Sequence, residues 1–179
     1  MNRCSNIAAL LCLIVASIQP ASALELFGVS LQSTDRTELR SAVKAAGVVL
    51  IREGGKDNWF DVYDSSRALA GSSRLYLGFV KQDLRFAFAE YEFGNLISRQ
   101  LLSNLTAKYG AAEILAGSFI SDRKYRLQVD GIDIELSSDW RNHKSRLSYI
   151  NPVNMVDLLA ERSAYSAQAE ANAGEISFY

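Results

Sequence analysis

Apolar residues follow two rhythms along this chain, one helical and one of strands. Leu39, Ala42, Val43 and Ala46 stand at i, i+3, i+4 and i+7, one face of a helix. Asp35 precedes them as an N-cap, with Glu38 three residues on in a capping-box position. Gly47 suits the left-handed residue that ends a helix. A second stripe, Leu101, Leu102, Leu105 and Tyr109, runs into Gly110, and Asn95 is its expected cap. Pro152 fits the first turn of a third helix, reaching about Ala171. The Ala-rich end of that helix should fray, leaving 173–179 as a loose tail.

Strand patterns fill the intervals. In the first run they are Val48–Glu53, Trp59–Asp64, Arg74–Lys81 and Leu84–Phe93, parted by turn residues such as "GGKDN" and "KQD". In the second they are a weak edge strand at Glu113–Ser121, then Lys124–Val129, Ile132–Ser137 and Ser145–Ile150. Asp130-Gly131 is a two-residue hairpin signal. Helix, glycine and antiparallel strands are thus written twice. This order predicts an α+β fold: an antiparallel sheet or sheets with helices on one face. The expected units are 24–94 and 95–172, tandem αβ repeats with the C-terminal helix closing the second.

The two runs differ in how their faces are dressed. Tyr125, Leu127, Val129, Ile132, Ile134 and Leu136 alternate with Lys124, Arg126, Gln128, Asp133 and Glu135. One face there should be wet and charged. In "LRFAFAEYEF", strict alternation puts Leu84, Phe86 and Phe88 on one side and Ala87, Ala89, Tyr91 and Phe93 on the other. That sheet is apolar on both faces. Its second face either packs on the rest of the protein or presents aromatic anchors to a partner. For the latter the candidates are Trp59, Tyr63, Tyr76 and Tyr91, residue types favoured in binding hot spots, with Ala87 and Ala89 as a shallow floor.

The N-terminal stretch changes where this domain is expected to work. Arg3, the apolar run Ile7–Ile18, Pro20 and the small residues Ala21-Ser22-Ala23 read as a secretory signal peptide, cleaved after Ala23. Leu11 before Cys12 does not make a lipidation site. Both cysteines, Cys4 and Cys12, lie in the leader, so no disulfide, thiol nucleophile or thiolate metal site is expected in the remainder. All 20 acidic residues and all but one of the 19 basic ones follow Ala23, leaving a slightly acidic domain without the basic excess of a nucleic-acid binder. No later apolar run reaches transmembrane length. A periplasmic or secreted protein is expected, not integral to the membrane.

Candidate chemistry is sparse. His143 is the one histidine, in the charged loop "DWRNHKS", without a G-x-S-x-G context. One histidine and no late cysteine cannot build a usual zinc site. Asp61/Asp64, Glu90/Glu92 and Asp133/Glu135 are acid pairs of the kind that more often line a solvated face than a sugar cleft. "DNWFDVYD" lacks the glycine of a calcium loop. The Asn104 sequon falls in a predicted helix. A terminal Phe178-Tyr179 resembles outer-membrane barrels, but one long strand is too few. No catalytic residue, cofactor or metal site is therefore expected.

"TDRTELRSAVKAAG" before "WFDVYD", and "LLSNLTAKYG" before "YRLQVDG", give an element order that resembles two related groups. These are the secreted β-lactamase-inhibitor proteins and the outer-membrane-assembly lipoproteins of the SmpA/OmlA type. The resemblance implies protein binding through an exposed sheet face and its loops. The chain departs from both: it has no lipobox, and no cysteine after Ala23. The expectation is an exported, non-enzymatic protein-binding or accessory module acting on another envelope protein. The alternative is a small-molecule or lipid binder with the aromatic face closing a pocket.

Overall fold

The computed structural model describes residues 23–55, 58–95, 97–117 and 123–176, with the backbone alone for 169–176. The expected leader, apart from Ala23, and the last three residues of the tail lie outside the described residues.

The fold is α+β. A small hairpin, β1 (Glu25–Leu26) and β2 (Val29–Ser30), leads into α1 (Arg36–Ala45). A four-stranded meander follows: β3 (Val49–Arg52), β4 (Phe60–Asp64), β5 (Ser72–Phe79) and β6 (Phe86–Phe93). Then α2 (Ser98–Tyr109) precedes a second meander: β7 (Glu113–Ala116), β8 (Lys124–Val129), β9 (Ile132–Asp139) and β10 (Lys144–Ile150). α3 (Pro152–Ile176) closes the chain. The two meanders share one antiparallel sheet, ordered β3-β4-β5-β6-β10-β9-β8-β7. They meet last strand to last strand, with Phe93 opposite Ser145 and Phe88 opposite Ile150. β7 is shorter than the expected strand, and residues 118–121 lie outside the described set.

Local chemistry explains the element ends. The Asp35 carboxylate accepts from the Thr37 and Glu38 backbone N–H groups at 2.8 and 2.9 Å, as an N-cap should. Glu38 does not close a capping box; its carboxylate accepts from the Thr34 hydroxyl at 2.9 Å. Asp130 and Gly131 have φ of 50° and 75°, the paired left-handed geometry of the tight hairpin between β8 and β9. Asn95 does not cap α2. The first turn of α2 has no side-chain cap; Ser145, buried on β10, instead ties down the segment that leads into the helix. Its hydroxyl accepts from the Ile97 N–H and donates to the Asn95 carbonyl, both at 3.2 Å.

The helices do not share a face. Leu39 and Val43 of α1 and Leu105 of α2 pack over Leu75, Leu77, Ala89, Tyr91, Phe93, Leu127, Ile132, Ile134, Leu136 and Leu147. Leu158 and Met155 of α3 lie on the opposite face, against Val80, Ala87, Phe88 and Trp59. The strict alternation expected across Leu84–Phe93 fails at one residue. Gly78 pairs with Phe88 and Phe79 with Phe86, so Ala87 is a bulge. Phe86 therefore turns inward with Ala89, Tyr91 and Phe93, while Ala87 meets α3. Leu84 is in the preceding turn, with φ of 62°.

A polar clasp holds α3 to the β5–β6 turn. Asn154 donates to the Phe86 carbonyl at 2.8 Å and accepts from Arg85. Arg85 also pairs with Asp157 at 2.9 Å. Glu161 accepts from the Lys81 and Gln82 N–H groups at 2.7 and 3.0 Å. Asn154, Asp157 and Glu161 are i, i+3 and i+7, one helix face.

Candidate functional site

The face of the sheet that α3 touches carries charges arranged by strand. Lys124 and Arg126 of β8 face Asp133 and Glu135 of β9; Lys144 and Arg146 of β10 face Glu90 and Glu92 of β6. Lys124–Glu135 closes at 2.6 Å, Arg126–Glu113 at 2.9 Å and Lys144–Glu92 at 3.0 Å. Such surface pairs contribute up to about 1 kcal/mol each. This is the wet face expected of β8 and β9.

Toward β5 and β4 the character changes. The Phe88 ring lies across Gly78, its partner on β5, where an added Cβ would stand 2.0 Å from the nearest ring carbon. Phe60 pairs with Gly78 from the other side, and Tyr76 pairs with Glu90. Phe60 meets Tyr76 at 5.6 Å and 81°, and Phe88 at 6.4 Å and 64°, both edge-on. With Ile150 and with Met155 of α3, these rings enclose a groove of about 400 Å³, within the usual range of ligand sites. Its polar lining is Glu90, Arg146 and Ser148. Ser148 donates to Glu90 Oε2 at 3.0 Å. The Arg146 guanidinium stands 3.8 Å from Glu90 and 3.9 Å from Glu92. Those separations are too long for hydrogen bonds.

A smaller hollow of about 250 Å³ lies between the start of α1 and the β5–β6 turn, lined in part by Arg36, Trp59, Phe60 and Lys81. The Lys81 ammonium sits 3.6 Å over the Trp59 ring, and Tyr165 meets that ring edge-on at 5.8 Å. Asp61, wholly buried beside it, is a structural clamp. It accepts from Arg40 Nε and Nη2 at 2.7 and 2.6 Å, Arg36 Nη2 at 3.2 Å and the Gly54 N–H at 2.6 Å. Burial alone would raise its pKa. The Arg40 hydrogen bonds, the Gly54 N–H and the two guanidinium charges outweigh that and hold it below the ordinary carboxylate value.

The four aromatic candidates do not form one surface. Tyr63 and Tyr91 are each only 4% exposed and belong to the inner core. Both pair with Leu75 across β5, so all three share the row that α1 and α2 cover. Burial, with the nearby Asp61 charge, pushes the Tyr63 phenol up to about 12, and burial raises Tyr91 as well. Trp59 and Tyr76 do lie on the other face, Trp59 in the smaller hollow and Tyr76 in the groove. Ala87 and Ala89 are fully buried rather than an open floor. Phe60, Phe88, Arg146, Ser148, Ile150 and Met155 are groove residues that sequence reasoning did not select. A usable signal was Gly78 inside a strand, which marks close approach by a neighbour. Nothing local points to Arg146, because it reaches the groove only through the β6–β10 pairing.

His143 is exposed in the β9–β10 turn with φ of 52°. Among the described residues, no group of three or more His, Cys, Asp or Glu is placed to hold a metal, and no helix is long and apolar enough to cross a membrane. No protein-family model and no curated protein sequence matches the chain. Among solved structures, the crystal structure of a DUF4309 family protein (YjgB) from Bacillus subtilis is similar, with a TM-score of 0.44 and 16% identity, over 71% of this chain and 87% of that one.

Proposed function

We propose that this is an exported, non-enzymatic binding protein of the bacterial cell envelope that holds a small, partly apolar molecule in the groove on its outer sheet face. The observation that carries this reading is the grouping of Phe60, Tyr76 and Phe88 with Ile150 and Met155 around about 400 Å³, beside three polar side chains. Apolar walls with a few placed polar groups are the usual build of a ligand site. The test is thermal unfolding of the protein with fractionated small molecules from an envelope extract. A ligand at 100 times its Kd adds about 2.7 kcal/mol of apparent stability. At least one fraction should raise the melting temperature, and Tyr76→Ser should remove the effect. Failure of every fraction to do so would overturn the reading.

A protein partner is the second reading, favoured by a different observation. Val49, Leu50 and Ile51 on edge strand β3 are 56%, 46% and 48% exposed. An open, apolar edge is a surface that another chain can extend. Capture from an envelope extract with the tagged protein separates the two: a stoichiometric protein lost in Leu50→Lys but kept in Tyr76→Ser would favour the edge.

A further inference from the structure

We infer that the groove takes an α-amino acid zwitterion with a large apolar side chain, aromatic or branched. This rests on the reading of the groove as a ligand site and adds the chemical class of the ligand. The polar lining contains both signs of charge, Glu90 and Arg146, on adjacent strands. Neither is used up. Ser148 occupies Glu90 Oε2, leaving Oε1, whose nearest cation is Arg146 at 3.8 Å. Arg146 donates no hydrogen bond to any described residue, so its planar fork of donors is open.

Charge complementarity narrows the occupant. A simple cation would bind Glu90 but face Arg146. A simple carboxylate would bind Arg146 but face Glu90 and Glu92 on either side of it. A molecule with an ammonium and a carboxylate on neighbouring atoms satisfies both: the ammonium donates to Glu90 Oε1, and the carboxylate accepts from the Arg146 guanidinium. Its side chain then rests on Tyr76, Phe60 and Phe88, which offer ring edges and faces at right angles, with Met155 as an adaptable wall.

The probes are L-phenylalanine, phenethylamine, which lacks the carboxylate, and 3-phenylpropionate, which lacks the ammonium. Calorimetric titration into the purified protein should give tightest binding for L-phenylalanine, by about tenfold or more over each truncated analogue, as a charge-assisted hydrogen bond implies. Arg146→Gln should weaken L-phenylalanine about tenfold and leave phenethylamine no weaker, because the repelling charge is gone. Glu90→Gln should weaken L-phenylalanine and leave 3-phenylpropionate no weaker, because one facing carboxylate is gone. The analogue comparison on the unaltered protein stands even where a variant folds poorly. Equal binding of all three probes overturns the zwitterion assignment, and so does absence of binding at millimolar L-phenylalanine. If extract fractions still stabilise the protein through Tyr76, the groove remains a ligand site and only the ligand class falls. If they do not, both fall together.

Discussion

Replacing Gly78 with Ala puts a methyl group where the Phe88 ring now lies. Three ring carbons stand 2.0, 2.4 and 2.8 Å from that position, and ordinary contact begins at 3.4 Å. Either the ring tips off the strand, away from Val80, Ala87 and Met155, or β5 and β6 part locally. Overpacking of this kind costs about 1–3 kcal/mol. Gly78 is not among the residues with positive φ, so Ala meets no backbone strain there. Removing a strand glycine should by itself contribute about 0.5–1 kcal/mol. The net expectation is a loss of about 1–2 kcal/mol, or roughly 2–8 °C in melting temperature for a chain of this size. In a Phe88→Ala background the obstacle is gone, and the same change should be neutral or stabilising by about 0.5–1 kcal/mol. Urea unfolding of the four proteins in the cycle measures the coupling directly. A Gly78→Ala effect of equal size in both backgrounds would refute the placement of the ring, and with it the floor of the groove.

Asp61→Asn removes the charge from a carboxylate that accepts four hydrogen bonds. Because the arginines are partly exposed, the expected loss is at the low end for a broken buried pair, about 3 kcal/mol, read as a fall of roughly 6–12 °C. The Asp61 pKa is depressed in the folded state, so its contribution is present above the unfolded value near about 4 and is lost as pH falls through the folded one. Stability of the parent protein should therefore drop more steeply on acidification than that of Asp61→Asn; parallel curves would contradict this. Tyr91→Ser should cost about 3 kcal/mol or more and Tyr76→Ser much less, measured by urea unfolding, since one is core and the other lines the groove. Equal losses would mean that the two residues do not lie on different faces.

Much of the fold is legible in short patterns. The stripe Leu39–Val43, the stop at Gly47, the Asp130-Gly131 turn and the alternation of β8 and β9 are all decided by neighbours within a few residues. What failed was decided across the sheet. The bulge at Ala87 exists because β5 and β6 fall out of step between Gly78 and Phe79, which no run of one strand reveals. The entry into α2 is held by Ser145 rather than capped by Asn95, because β10 returns beside β6. Tyr63 and Tyr91 have the composition of a binding surface, but their parity points them beneath α1 and α2. The groove itself is built by β4, β5, β6, β10 and α3 together, and its charged pair straddles the join of the two meanders.

That join also governs the order in which the molecule can be assembled. Within each meander, neighbouring strands are joined by short connections and can pair early. The contact between β6 and β10 closes a loop containing a whole helix and three strands, so it carries more closure entropy than any hairpin and should form after them. Until then β6 is an unprotected edge, and the α2 N-terminus lacks the hydroxyl that Ser145 supplies. Folding speed should accordingly depend on how fast β10 docks, and the time spent before docking is when the chain is most open to strand pairing with other chains.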